Sequence, residues 1–188
     1  MADNVYGVKL VVLTELNQDG STKADGKVIT ISTPQEVSYS PNIKEGGETE
    51  LRGGDKLIAI VKDDDVLTSI TATFKDAKLN IDAMKLIGGG TVTGTGDTAK
   101  YAAPKMSETT RTPFKAEIYS AIYGDGSNTA GDITAYAKVT LNYAKGKIPS
   151  FAQADKAFSV PSYTIVGTEN GAQKLSCYSI ERVAALPA

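Results

Sequence analysis

Between Ile133 and Tyr143 apolar and polar side chains alternate without a break. Ile133, Ala135, Ala137, Val139, Leu141 and Tyr143 stand against Thr134, Tyr136, Lys138, Thr140 and Asn142. A period of two marks a strand with one face on a core, and a helix would scatter the same pattern around its whole circumference. The rest of the chain has the same character. Thr, Val and Ile supply 47 of its 188 residues, and such β-branched side chains fit a pleated, half-buried surface. A chain of this length suits one domain spanning 1–188 with a core of its own.

Other segments repeat the strand signal. Val8 to Leu16 is apolar on both faces, as in a strand covered on both sides, and ends at the turn Asn17-Gln18-Asp19-Gly20. Lys27 to Thr33 alternates, Pro34 interrupts it, and Gln35 to Tyr39 resumes as an edge segment. About 40–55, Pro41 and four glycines predict a long loop or arm. Lys56 to Lys62 and Val66 to Lys75 then read as a hairpin joined by Asp63-Asp64-Asp65. In its second strand Val66, Ile70, Ala72 and Phe74 face one way, and Leu67, Ser69, Thr71 and Thr73 the other. Phe114 to Ile122 alternates and turns at Gly124 to Asn128. A short helix or loop near Phe151 to Lys156 precedes the last strands, Ala157 to Val166 and Lys174 to Val183, joined across Gly167 to Gly171.

One helix stands out. Asn80 is a capping residue, Asp82 suits the amino-terminal end, and Gly88 is a terminator, which predicts Ile81 to Ile87 with Ile81, Met84 and Ile87 on the buried stripe. The glycine-rich stretch at about 88–113 reads as a long loop with two short strands at most. The expected fold is mainly β: a β-sandwich or partly closed barrel with one short flanking α-helix and long loops.

Missing residue types exclude much chemistry. The chain has no His, so it holds no Ser-His-Asp triad, His proton shuttle or His metal site. Its lone Cys177 alternates with Leu175 on the inward face of the last strand and reads as a small buried hydrophobe. Asp63 to Asp65 lacks the spacing of a calcium loop and reads as a solvated hairpin tip, and Gly94-Thr95-Gly96-Asp97 lacks the Lys and following helix of a phosphate loop. No catalytic residue, metal or cofactor is expected, and the chain does not read as an enzyme, although paired carboxylates leave glycoside hydrolysis formally open. The net charge of −2 and a pI of about 5.3 give no general affinity for nucleic acid or anionic membrane. Met1 to Gly7 has neither the basic nor the apolar region of a secretory signal, so synthesis in a cytoplasm is expected. A carbohydrate-binding or adhesive sandwich is the alternative from another class, with Tyr119, Tyr136, Tyr163 or Tyr178 stacking on sugars.

A glycine-rich charged arm, the runs from Lys56 to Lys75, the link Asp76-Ala77-Lys78-Leu79, the short helix and the tract Gly88 to Gly90 follow in an order that resembles the major tail tube proteins of long-tailed bacteriophages. The resemblance is strongest from Ile43 to Val92. It implies a virion protein, assembled in the host cytoplasm, whose hexameric rings stack into a hollow tube through which DNA passes without specific binding. The implied partners are further copies of the chain and other tail proteins: tape measure, tail terminator and distal tail protein. A tail terminator or head decoration protein would share this composition. By position, Lys56 to Lys75 and Ile133 to Tyr143 are candidates for the inner sheet, and Glu48, Glu50, Arg52 and Asp55, set among glycines, are candidate inter-ring contacts whose mixed charges would set register with a neighbour.

Overall fold

A computed structural model describes residues 3–108, 110–124 and 133–187. In chain order the strands are β1 (Asn4–Glu15), β2 (Val28–Ile31), β3 (Pro34–Lys44), β4 (Glu48–Gly53), β5 (Lys56–Lys62) and β6 (Val66–Asp76). The helix α1 (Ile81–Gly88) follows, then β7 (Thr91–Thr93), β8 (Lys100–Ala102), β9 (Phe114–Tyr123), β10 (Ile133–Gly146), β11 (Ser162–Thr168) and β12 (Tyr178–Val183). The main sheet runs β2-β1-β9-β10-β11-β6-β3, with β12 also on β10, and it does not close into a barrel. The expected β class with one short helix is therefore what the chain adopts.

The central device is β10. One edge pairs with β9 along most of its length. The other is shared: Tyr143 to Gly146 pair with β11, and Tyr136 to Leu141 pair with β12. The sheet forks there and folds over, so that Val11, Leu13, Ile29 and Ile31 meet Ile70, Phe74, Tyr163 and Ile165 in one core with Phe114, Ile118 and Leu141. Phe74 and Tyr163 stack at 5.1 Å across the β6–β11 pair. Each fully buried side chain of this size contributes about 1.5–3 kcal/mol.

β1 is buried on both faces from Leu10 to Leu13, as its doubly apolar sequence requires. Val11 and Leu13 enter the main core, while Leu10 and Val12 pack with Tyr119 beneath Val183 and Leu186. Asn80 caps α1 by accepting a hydrogen bond from Ala83 N at 3.0 Å. The stop lies one residue later than expected: Gly88 ends the helix, and Gly89, at φ 77°, donates its N–H to Lys85 O at 2.9 Å. Ala83, Met84, Leu86 and Ile87 are buried, whereas Ile81, expected on the stripe, is only half-buried. The 88–113 stretch carries two short strands, β7 and β8, as expected.

Several pairings differ from expectation. β5 pairs with β4 rather than with β6, and β6 lies between β3 and β11, so Lys56 to Lys75 is not a hairpin. The expected loop at 40–55 is mostly strand, because β3 runs on to Lys44 and β4 begins at Glu48. Pro41 is tolerated because β3 is a sheet edge. β11 and β12 both join β10 instead of each other; β12 begins at Tyr178, leaving Cys177 buried just before it and Leu175 40% exposed rather than inward. Ala157 to Val160 precede β11 as an irregular segment. The turn expected from Gly124 to Asn128 lies outside the described residues beyond Gly124.

Candidate assembly surface

β3 and β6 form a ribbon that continues past the sheet. Its ladder pairs Pro34 with Asp76 and ends with Lys44 opposite Val66; beyond three intervening residues on each strand, 45–47 and 63–65, it resumes with Glu48 opposite Lys62. At the joint Asp63 N donates to Gly47 O at 2.9 Å and Gly46 N donates to Asp65 Oδ1 at 3.0 Å. Asp63 and Asp65 thus hold a joint in the ribbon, and the aspartate run is not its tip. The tip is the turn Gly53-Gly54-Asp55-Lys56, where Gly54 takes φ 62°, the sign a type II′ hairpin turn needs at its first central residue. β4 and β5 form a separate two-stranded sheet, an arm reaching roughly 20 Å past the joint at about 3.3 Å per residue.

The four sequence candidates all lie on this arm. Glu50 and Arg52 pair with each other at 2.7 Å, Glu48 faces Lys62 across the ladder, and Asp55 sits in the turn. The Glu50–Arg52 pair is solvent-exposed, so it adds little stability by itself. Alternation places Glu48, Glu50, Ile60 and Lys62 on one face and Thr49, Leu51, Ala59 and Val61 on the other. Ile58 is the extra residue of a bulge, and its side chain lies over Gly53. The arm therefore has one face on which Glu48, Glu50, Arg52 and Lys62 mix with Leu57 and Ile60, and one largely apolar face without charge.

Charge drew the sequence reading to this segment, and the apolar side chains were the stronger signal it passed over. Leu51, Leu57, Ile58, Ile60 and Val61 are 46–66% exposed. At the root, a second bulge at Thr68 brings Leu67 to the side of Ile43, so the apolar stripe Tyr39, Pro41 and Ile70 runs out of the core and ends in the open. An isolated two-stranded ribbon is marginal in water, its outer edges offer unpaired backbone groups, and a contiguous apolar surface marks a contact site. Three features of one segment thus call for a partner surface.

The opposite end of the ribbon is also apolar. There β6 ends, β11 begins and β10 ends, tied by Asp76 N to Pro161 O at 3.1 Å and Ser150 N to Ser162 O at 3.1 Å. Around this end Leu79, Ile148, Phe151 and Phe158 are exposed, Phe158 by 98%. A cleft of about 170 Å³ opens near the arm's root, lined by Tyr39, Pro41, Ile70, Val139, Tyr178 and Ile180.

Polar sites are less suggestive. A groove near α1 contains Glu15, Lys27, Asp82, Lys85, Glu108 and Arg111. Two of its carboxylates are paired with lysines: Glu15 accepts from Lys23 Nζ and Lys27 Nζ meets Asp82, at 2.7 and 2.6 Å. The Lys23 hydrogen bond holds the Glu15 carboxyl below its ordinary range, against a smaller opposing effect of burial. Among the described residues no cluster of His, Cys, Asp or Glu could hold a metal, and no helix is long and apolar enough to cross a membrane. The tyrosines suggested for sugar stacking do not form a platform: Tyr119 and Tyr163 are buried in the two cores, and Tyr136 and Tyr178 are half-buried.

No protein-family model matches the chain, and no curated protein matches it. Among solved structures it is similar to a chain of the anti-feeding prophage baseplate, determined by cryo-EM with six-fold symmetrisation. The two share 9% identity and a TM-score of 0.41 over 98% of each chain, a likeness too weak to carry an argument.

Proposed function

We propose that this protein is a self-assembling structural subunit of a phage virion whose hexameric rings stack into the hollow tail tube. The observation that carries this reading is the arm, a ribbon with an apolar face, open edges and no packing surface among the described residues of its own chain. A single copy gains nothing from displaying Leu51, Ile58 and Val61 to water, whereas a second copy placed against them buries that area. Arm and receiving surface are different patches, so the contact is heterologous, the kind that closes rings or propagates filaments. Glu48, Glu50, Arg52 and Asp55 then act as register-setting contacts between rings beside the apolar anchor. Tape measure, tail terminator and distal tail proteins would be the other partners, and DNA would pass the near-neutral subunit without being held.

The exposed strand edges support the same reading. Among the described residues β12 pairs only with β10, and β3 only with β6, so each subunit offers edges to which a neighbouring sheet can be joined. In the groove the Lys23 hydrogen bond holds the Glu15 carboxyl below its ordinary range, the opposite of what a general acid needs, which favours a structural role over glycoside hydrolysis. The test is electron microscopy of the purified protein across a concentration series, with mass read by light scattering on the same samples. Rings or hollow tubes with a regular repeat are expected. A strict monomer at every concentration, with a tail-initiation complex supplied, would overturn the proposal.

A further inference from the structure

We infer that the cleft at the root of the arm is the seat for Phe158 of a second copy of this chain, so that the subunit is a knob at one pole and a hole at the other. The inference rests on the self-assembly proposed above and names the side chains that make the contact between stacked copies. The hole follows from the fork at β10. Where β12 leaves the path of β11, the sheet faces separate, exposing Val139, Tyr178 and Ile180 on one wall and Tyr39, Pro41 and Ile70 on the other. None of the six is charged. A dry apolar cavity of about 150 Å³ holds a benzene molecule, so an open cleft of about 170 Å³ matches one phenyl ring.

The occupant follows from what the chain leaves bare. Among the described residues, Phe158 and Met106 are the two large apolar side chains that lie essentially wholly in solvent. A phenyl ring is stiff, loses little rotamer freedom on docking and is a common interface anchor, while a methionine is flexible. Phe158 also stands at the right place. Its loop lies at the end of the ribbon where Asp76 meets Pro161, and the cleft lies near the other end, where Pro41 pairs with Ile70. Those ends are separated by most of the length of β3, roughly 25 Å at about 3.3 Å per residue. Phe158 therefore does not reach the cleft of its own chain, whereas the next copy in a head-to-tail stack presents it there. Seating it beside the arm's root leaves the receiving copy's arm lying along the flank of the incoming one.

The test uses two full-length variants, Phe158→Ala, which removes the knob, and Ile180→Glu, which charges the cleft rim at a residue 66% exposed and so leaves the core intact. Thermal melts compare both with the parent protein to confirm folding. The expected result is that neither variant elongates alone, while an equimolar mixture doubles the mass of the unit each forms separately and stops, because each supplies only one sound half of the contact. Elongation of Phe158→Ala at the parent's concentration, or a mixture that gains no mass, overturns the inference. A parent that forms tubes beside an equally competent Phe158→Ala variant removes only the knob and hole; a parent that never assembles removes the proposed function as well.

Discussion

Replacing Leu51 and Val61 together with alanine should separate assembly from folding. Both side chains lie on the apolar face of the arm and are 58% and 66% exposed, so each already shields about a third to two fifths of its surface within the ribbon. Full burial of an aliphatic side chain contributes about 1.5–3 kcal/mol, which leaves about 1–1.5 kcal/mol from each when a neighbour covers it. The double variant then forfeits about 2–3 kcal/mol per contact, a rise of roughly 30- to 150-fold in the concentration needed for assembly. Folding should be indifferent, because neither residue belongs to the core and β4 and β5 form their own sheet.

The assay is a sedimentation or light-scattering series that locates the assembly threshold, run beside a thermal melt of the dilute monomer. A raised threshold with an unchanged melting temperature is expected. Two results would refute the reasoning: a threshold that stays put would show the apolar face to be uncovered in the assembly, and a fall in melting temperature matching the threshold shift would show the arm to be part of the fold. Glu48→Ala with Arg52→Ala tests the other face, where the Glu50–Arg52 pair is already satisfied within the strand. Its loss should alter register and salt dependence more than the threshold.

Three further outcomes concern the monomer. Asn170→Ala removes a buried side chain that donates to Gly20 O at 2.9 Å and Asn142 O at 3.3 Å, clipping the β11–β12 loop to the first turn and to β10. A cost of about 2–3 kcal/mol should appear in calorimetry as a fall of about 5–10 °C. Asn80→Ala removes the cap on α1 and should cost about 1 kcal/mol, read by urea denaturation with an unchanged m-value. Glu15 should govern part of the acid limb: its folded carboxyl is held below the ordinary 4.5 by Lys23, so its contribution is present above that value and is lost as pH falls through the folded one. Glu15→Gln should lower stability at neutral pH and flatten the acid limb below about 4.5; an unchanged profile would dismiss the pair as a contributor.

What was legible in the sequence followed from local physics. β1 announced its double burial by being apolar at consecutive positions, β10 by strict alternation, and α1 by a cap whose hydrogen bond is formed. Pairing was harder because it is settled by contacts distant in sequence. Asp63 to Asp65 resembles a turn, and a local turn signal drew β5 towards β6; the true turn is Gly54-Asp55, a pair equally suited to a tight hairpin, but preceded by Glu48 to Arg52, whose acidic residues have low strand propensity. Alternation was present there too, with Thr49 and Leu51 set against Glu48, Glu50 and Arg52. The fork at β10 left no local trace, since each half of its shared edge looks like an ordinary strand until β11 and β12 compete for it.

The same division explains the candidate site. The four charged residues lie on the segment proposed for assembly, but surface charge is common and weakly informative, whereas exposed Leu51, Leu57, Ile58, Ile60 and Val61 are what sets the arm apart from an ordinary surface loop. From sequence alone those residues pass for core, because β-branched strands are expected to be buried. Only when β5 is found paired with β4, with no core beneath it among the described residues, does their exposure suggest a partner. The assembly signal is thus the difference between two readings of the same five side chains, and neither the sequence nor a list of exposed charges contains it alone.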